Sequence, residues 1–339
     1  MKIAVVILNW NGKKFLEKFL PSVIKYSSKN AEIIIADNAS ADDSISFLQN
    51  NYPQIRIIQH NKNLGFTKGY NESLSKIDAD YYILLNSDIE VTDNWITPVI
   101  DLMEKDKNIA VCQPKIMSFY KPLEFEYAGA AGGFIDKYGY PFCKGRIFQT
   151  MEEDKGQYDD VTEIFWATGA CMFVKSDLFL KFGGFDNDFF AHMEEIDFCW
   201  RLKNLGYKIM YCPYSKIFHI GGGTLPKKSS HKTFLNFRNN LILLCKNLPQ
   251  NKLLSAFLIK IILDTLAALK FLLDGGFKDF IAVFKAYFSF YSSFLKHYKK
   301  RGDIKHNYVS KIYQKSIVFD YFLKRKKIFT DIKQDRFSS

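Results

Sequence analysis

The sequence predicts an α/β fold with a mostly parallel central sheet and a helical appendage at its C-terminal end. Two features of the first 90 residues carry that prediction. Short, continuous apolar runs alternate with amphipathic segments of helical spacing, the pattern of strands covered on both faces by helices. Each apolar run also ends in a polar cluster rich in Asn and Asp, and ligands of such sheets bind beyond the carboxyl ends of the strands.

The elements follow in order. Ile3–Leu8 reads as a buried strand that ends in Asn9-Trp10-Asn11-Gly12, and Lys13–Tyr26 follows with apolar residues at helical spacing. Ile33–Ala36 is a second strand, ending in Asp37-Asn38-Ala39-Ser40, before a helix over Ser44–Asn50. Ile55–Gln59 is a strand ending in His60-Asn61-Lys62-Asn63, and Phe66–Ile77 is helical. Tyr81–Leu85 then ends in Asn86-Ser87-Asp88. Any one of these clusters also suits a turn or an N-cap. Four in succession argue for a shared site.

Residues 112–224 are less regular, with glycines clustered at Gly129–Gly133 and Gly221–Gly223. A helix over Glu194–Leu205 would place Glu194, Asp197 and Arg201 on one face with Glu195 beside them. Beyond it, Lys232–Lys246, Lys252–Leu273 and Phe277–Tyr298 read as helices, and a basic, weakly structured tail begins at Lys299.

Charge divides the chain unevenly. From Leu225 onward there are 23 Lys and Arg against 7 Asp and no Glu, while residues 1–224 carry 24 against 29 acidic residues. A basic, aromatic-rich segment on an acidic body suits an anionic surface as partner. No nucleic-acid recognition motif is present, which leaves a membrane surface or a subunit contact. The 32 Phe and 19 Tyr exceed the needs of an ordinary core. Six cysteines never fall into a C-x-x-C pair and read as reduced core thiols of a cytosolic protein. Ile3–Leu8 is too short for a signal-peptide core. In Leu253–Leu273, Lys260, Asp264 and Lys270 interrupt every window long enough to span a bilayer.

Three constellations carry chemistry. Asp88 follows a buried strand, where a carboxylate can hold a divalent ion against phosphate oxygens, and His219 could complete the site. The cluster Glu194, Glu195 and Asp197 suits acid–base work, although it also suits a solvated helix face. Leu64–Gly69 opens a helix and can receive an anion or a sugar hydroxyl, without matching a standard phosphate loop.

Taken together, Val5–Gly12, Asp37–Asp42, Asn63–Asn71 and Leu84–Asp88 resemble family 2 glycosyltransferases with the GT-A, or nucleotide-diphospho-sugar transferase, fold. Thr168-Gly169-Ala170, Gly184-Phe185-Asp186, Glu194-Glu195-x-Asp197 and His219 are similar to the rhamnosyltransferase-like branch, and the resemblance covers residues 1–250. It implies a catalytic domain over 1–224, divided into a nucleotide-sugar half (1–110) and an acceptor and catalytic half (111–224). A basic amphipathic helical region (225–300) and a basic tail (301–339) would follow.

The same resemblance implies residue roles. Asn9, Asn11, Asp37, Asn38, Gly65, Lys68, Asn86 and Asp88 would bind the donor. Asp88 and His219 would hold Mg²⁺ or Mn²⁺, and Glu195 would be the general base. Trp166, Gly169, Glu194, Asp197 and Arg238 would border the acceptor. Asn86 replaces the first Asp of the family's Asp-x-Asp, and Glu195 stands where Asp is usual. The expected reaction is inverting transfer from a nucleotide sugar, dTDP-rhamnose first and a UDP-sugar or UDP-galactofuranose second. The acceptor would be a glycan or lipid-linked glycan of a cell-surface polysaccharide. The protein would work as a peripheral protein on the inner face of the cell membrane, with a homo-oligomer possible. A non-catalytic sugar-nucleotide scaffold is the competing expectation.

Overall fold

The computed structural model describes residues 1–221, 229–303, 307 and 309–339. Gly222 and Gly223, and the expected boundary at 224/225, lie outside the described residues.

The first half of the sheet is built as the apolar runs predict. β1 (Ile3–Asn9), α1 (Lys13–Ser27), β2 (Glu32–Asp37), α2 (Ser44–Asn51), β3 (Arg56–Gln59), α3 (Gly65–Leu74) and β4 (Tyr81–Asn86) alternate in sequence. β1 pairs in parallel with both β2 and β4, and β2 with β3. Because side chains alternate along a strand, each apolar run feeds two cores. Val6, Ile34 and Leu84 enter one, while Val5, Ile35 and Leu85 enter the other, around Trp95.

The second half departs from the mostly parallel sheet that was expected. β5 (Ile89–Val91), α4 (Thr97–Lys105) and β6 (Ile109–Ser118) lead to an excursion through β7 (Gly133–Asp136), β8 (Pro141–Cys143), β9 (Arg146–Ile147), β10 (Thr150–Met151) and β11 (Thr162–Ile164). The chain returns through β12 (Cys171–Lys175), α5 (Ser176–Lys181), α6 (Glu194–Asn204) and β13 (Lys208–His219). β12 slots antiparallel between β4 and β6, and β11 and β5 pair antiparallel with β13. The sheet is therefore mixed: β3, β2, β1 and β4 run parallel to one another in that order, as do β6 and β13, while β5, β11 and β12 run against their neighbours.

The C-terminal segment forms α7 (Ser230–Asn247), α8 (Gln250–Leu273), α9 (Phe277–Ser292), α10 (Phe294–Lys299), β14 (Ile312–Tyr313) and α11 (Ile317–Phe322). The tail differs from the weakly structured one expected from its charge. β14 pairs in parallel with β7 at the edge of a second, five-stranded sheet. Val309, Tyr313, Ile317, Tyr321, Phe329 and Ile332 are buried. Rings of Phe134, Phe142, Tyr313, Phe329 and Phe337 pack with centroids 5.0–6.3 Å apart, which accounts for part of the aromatic excess. Lysines of the tail project outward from an aromatic core, so composition alone concealed it. All six cysteines are free and buried.

α8 also differs from its reading as a helix interrupted by charge. Lys260 and Asp264 are buried against the body, where Tyr140 and Tyr287 donate to the Asp264 carboxylate at 2.6 and 2.8 Å. Among the described residues no helix is long and apolar enough to cross a membrane.

Ending the chain before Val309 removes six buried side chains, each contributing about 1.5–3 kcal/mol. That loss is comparable with the roughly 5–15 kcal/mol that stabilises a whole domain. The truncated protein should be insoluble or lack a cooperative thermal transition; a melt within a few degrees of the full chain would refute the packing role of the tail.

Candidate active site

The carboxyl ends of β1, β2 and β4 bring the donor-side residues together. Asn9 is fully buried; its amide donates to Asp37 Oδ2 at 2.9 Å and to Ser40 Oγ at 3.1 Å. Asp37 is equally buried and also accepts from the Ser40 backbone at 2.9 Å and its hydroxyl at 2.6 Å. Both residues therefore brace the carboxyl ends of β1 and β2 from within. Asn11 is exposed at the lip, with φ near 50°, and its side-chain oxygen accepts from the Ala41 backbone at 2.7 Å. Asn38 accepts from Leu64 N–H at 2.8 Å and donates to the Gly65 carbonyl at 3.0 Å, fixing the loop that opens α3. Gly65 has φ +74°, and a Cβ there would strike the Phe190 ring at 2.5 Å. Lys68 is exposed on the first turn of α3, 3.4 Å from Glu72. Asn86 ends β4, its backbone N–H on the Ala170 carbonyl at 2.9 Å.

Asp88 and His219 meet as the sequence suggested. His219 Nε2 lies 3.1 Å from Asp88 Oδ1, both side chains being buried. Its other nitrogen, Nδ1, is 3.0 Å from Glu126 Oε2. Burial opposes a charged imidazole here, but the two carboxylates prevail and raise its pKa to about 10. Glu126 was missed by sequence reasoning, since a single Glu 93 residues from its partner gives no spacing signal. Gly221, at φ +72°, is the one detectable trace, because a Cβ there would collide with Glu126 Oε1.

This donor set fits a divalent ion. Two adjacent ligands of an octahedral ion at about 2.1 Å stand roughly 3 Å apart, close to the observed separation. A carboxylate on the far nitrogen is the usual orienting partner of a metal-binding imidazole. Among the described residues no group of three or more such side chains forms a complete metal cage, so remaining positions would fall to substrate and water.

The residues expected to do acid–base work follow the loop ahead of α6. Phe190, His192 and Met193 all have left-handed backbones, a costly run for residues other than glycine. The Phe190 carbonyl accepts from the first N–H groups of α3, Phe66 at 3.1 Å and Thr67 at 3.3 Å, which ties this loop to the donor side. Glu195 sits in the first turn of α6. Burial raises its pKa to about 7, partly offset by backbone N–H groups of the helix start. Its Oε2 has no hydrogen-bond partner among the described residues. Glu194 is buried beside it, its pKa pushed well up by burial and by the Glu195 charge.

Asp197 differs from its expected role at the acceptor. Asp197 has no exposed surface; Arg201 at 2.9 Å, Lys246 at 2.8 Å and Asn247 at 2.8 Å surround its carboxylate. It anchors α6 to α7 and cannot touch a ligand. Arg238 donates to the backbone carbonyls of Asp188 at 3.1 Å and Phe189 at 3.2 Å. Its neighbour Asn239 lies 2.8–2.9 Å from the carbonyls of Phe189, Ala191 and His192. Asn239 is therefore the splint of the strained loop. Trp166 is nearly buried, its indole N–H on the Phe134 carbonyl at 2.9 Å. Gly169 lies against Phe66, where a Cβ would come within 3.0 Å of the ring.

Replacing Asn239 with Ala leaves buried carbonyls without their donor, at about 1–3 kcal/mol each. Amide exchange over 189–195 should quicken while β1–β4 remain protected. Unchanged exchange in the loop would show that Asn239 does not hold it.

Residues 4–179 match Glycosyl transferase family 2. The chain is 24% identical over 232 residues to the N-acetylglucosaminyl-diphospho-decaprenol L-rhamnosyltransferase of Mycobacterium tuberculosis, spanning 64% of this chain and 75% of that protein. It is 24% identical over 226 residues to rhamnosyltransferase WbbL of Escherichia coli, spanning 64% and 83%. GalNAc-T7, solved with UDP, GalNAc and Mn²⁺, has a similar fold: TM-score 0.58, 17% identity, 74% of this chain and 49% of that one. This chain thus spans about half of that structure. The mannosyltransferase of Pyrobaculum calidifontis, solved with GDP-Man and Mn²⁺, gives TM-score 0.52 and 12% identity over 87% of this chain and 75% of that one. With its GT-A fold and the family match over residues 4–179, this chain belongs to glycosyl transferase family 2, in the rhamnosyltransferase-like branch.

Proposed function

We propose that this chain is an inverting transferase that moves a sugar, rhamnose from dTDP-rhamnose in the first place, onto a hydroxyl of a glycan or lipid-linked glycan used in cell-surface polysaccharide synthesis. The observation that carries the reading is Glu195, a carboxyl poised at about 7 with an oxygen unclaimed by the described residues. A general base works best when its pKa lies near the working pH. Glu195 takes the proton of the acceptor hydroxyl as that oxygen attacks the anomeric carbon, and the nucleoside diphosphate leaves from the opposite face. One ionisable base, with its neighbour Glu194 kept protonated by burial and by the Glu195 charge, favours direct displacement and inversion.

Asn9, Asp37 and Asn38 shape the nucleoside floor, with Asn11 and Lys68 at its rim and Gly65 and Asn86 on its backbone edge. Asp88 and His219 would hold Mg²⁺ or Mn²⁺, which would supply positive charge to the leaving diphosphate. Glu126 keeps His219 turned toward that position. Glu194, Trp166 and Gly169 line the acceptor side. The names of the mycobacterial and Escherichia coli relatives support a rhamnosyl donor. The Mn²⁺ in the structural neighbours supports a divalent ion.

Calorimetry with dTDP-, UDP- and GDP-sugars and Mn²⁺ tests this. One nucleotide should bind, EDTA and Asp88→Ala should abolish binding and transfer, and dTDP-rhamnose should be the one taken. Glu195→Gln should keep nucleotide affinity and lose about 10²–10⁴ in rate. Since the base must be ionised, kcat/KM should rise tenfold per pH unit below about 7 and level off above. Absence of any nucleotide binding would leave the scaffold reading in its place.

We also place the reaction at the inner face of the cell membrane. With Lys260 and Asp264 turned inward, the exposed side of α8 between Lys252 and Lys270 carries no charge. It presents Leu254, Leu258, Ile261, Ile262, Leu266 and Leu269, while Phe284 and Phe288 extend the surface on α9. A continuous apolar face bounded by lysines suits the boundary of an anionic bilayer. The chain should sediment with anionic vesicles at low salt, and Leu258→Asp with Leu266→Asp should release it. A stable dimer that stays in the supernatant would instead assign the face to a second copy.

A further inference from the structure

Between the start of α7 and the start of α9 lies an open cavity of about 590 Å³ that the reaction above does not use. Its walls are apolar, formed by Phe234, Phe277, Ile281 and Ala282. Its rim is basic: His231, Lys278 and Lys285 line it. Neither lysine has an ion-pair partner among the described residues. The one carboxylate in the first turn of α9, Asp279, is bonded by the Thr233 hydroxyl at 2.5 Å. A cavity with apolar walls and unpaired cations at its mouth matches a ligand with an anionic head and a hydrocarbon tail.

Two further observations tell which such ligand. Phe277 is both a wall of the cavity and 62% exposed, and Phe284 and Phe288 continue along α9 from it, so the cavity opens onto the apolar face assigned above to the bilayer. At the other side the cavity neighbours the catalytic loop. His192, in that loop, is held neutral chiefly by burial, with Lys232 and His231 near enough to add to the effect, the latter a lining residue. Along α7, His231 lies about two turns from Arg238 and Asn239, which grip the carbonyls of residues 188–192.

We propose that this cavity binds the diphosphate and the first isoprenoid units of a lipid-linked acceptor, with Lys278, Lys285 and His231 on the phosphates and Phe234, Ile281 and Phe277 on the hydrocarbon. The inference rests on the lipid-linked acceptor of the reading above and assigns it a place. The sugar to be extended then faces the loop that carries Glu195, while the rest of the chain stays in the bilayer. Recognition is divided between a charged head and a greasy stem, so neither half alone binds well.

Farnesyl diphosphate is a soluble probe of that divided recognition. Calorimetry on the full chain should show it binding at least about tenfold more tightly than pyrophosphate or farnesol. Lys278→Glu with Lys285→Glu should weaken it by about tenfold or more. Ile281→Trp, which fills the cavity, should do the same with pyrophosphate binding unaltered. In transfer assays these variants should raise KM for a prenyl-diphosphate-linked acceptor and leave a water-soluble acceptor sugar unaffected. Equal affinity in wild type and charge-reversed protein, or pyrophosphate binding as tightly as the prenyl compound, would overturn the proposal. Nucleotide-sugar binding on the same preparations separates the two readings. Its loss with farnesyl diphosphate binding intact would sink the transferase reading and leave the cavity standing. The reverse result would sink the cavity alone.

Discussion

The loop from Asp186 to Met193 is held in a conformation it would not adopt alone, and the rest of the site depends on that restraint. Left-handed backbone at Phe190, His192 and Met193 costs about 1–3 kcal/mol per residue. The restraint comes from α7 and α10. Asn239 and Arg238 gather the loop carbonyls, while Lys246 at 2.6 Å and Lys300 at 2.7 Å close on Asp186. Lys296 and Lys300 do the same for Asp188 at 2.6 and 2.9 Å. These pairs are at least half-buried on the acidic side, where removing one partner is far more costly than at an exposed surface. Three lysines of the basic C-terminal segment thus neutralise carboxylates of the acidic body. The remaining exposed cations, on α8, α9 and the tail, are left for the outer surface.

That arrangement links two properties that look separate. The loop carbonyl of Phe190 finishes the first turn of α3, and the same loop delivers Glu195 into a largely buried setting with its Oε2 shielded from solvent. Burial raises the Glu195 pKa, so the restraint that fixes geometry also tunes basicity. An unrestrained loop would let water reach the carboxylate and return it toward the ordinary carboxylate range.

The sequence was legible where chemistry and periodicity are local. β1–β4 and the helices between them follow from apolar runs and helical spacing, and Asp88 could be singled out because a carboxylate ends a buried strand. The antiparallel insertion of β12 was not legible, since its partners lie in β4 and β6, far away in the chain, and the intervening strands are two to four residues long. Glu126 was hidden for the same reason. Asp197 was misread because ligand contact and structural pairing use the same residue types; only its buried partners tell the two apart. On α8, counting Lys260 and Asp264 as breaks in an apolar run was sound for a spanning helix. It concealed which way they point.

Direction decides what α8 can do. A helix with Lys260 and Asp264 facing solvent would be an ordinary amphipathic rod, soluble on its outer side. Here Tyr140 and Tyr287 satisfy the Asp264 oxygens, and Lys260 lies 4.0 Å over the Tyr140 ring and 3.3 Å from Asp264. A buried pair of this kind adds little net stability over apolar packing, because desolvation offsets its attraction. Its consequence is orientational. A rotation of α8 about its axis would drag two charges into the apolar surface and leave two tyrosine hydroxyls unpaired, so the helix has one rotational setting. That setting points the aliphatic face outward and fixes α9 against α7, where the basic-rimmed cavity forms. The internal polar pair thereby determines an external apolar surface, and the catalytic loop, the cavity and that surface are held in one frame by α7.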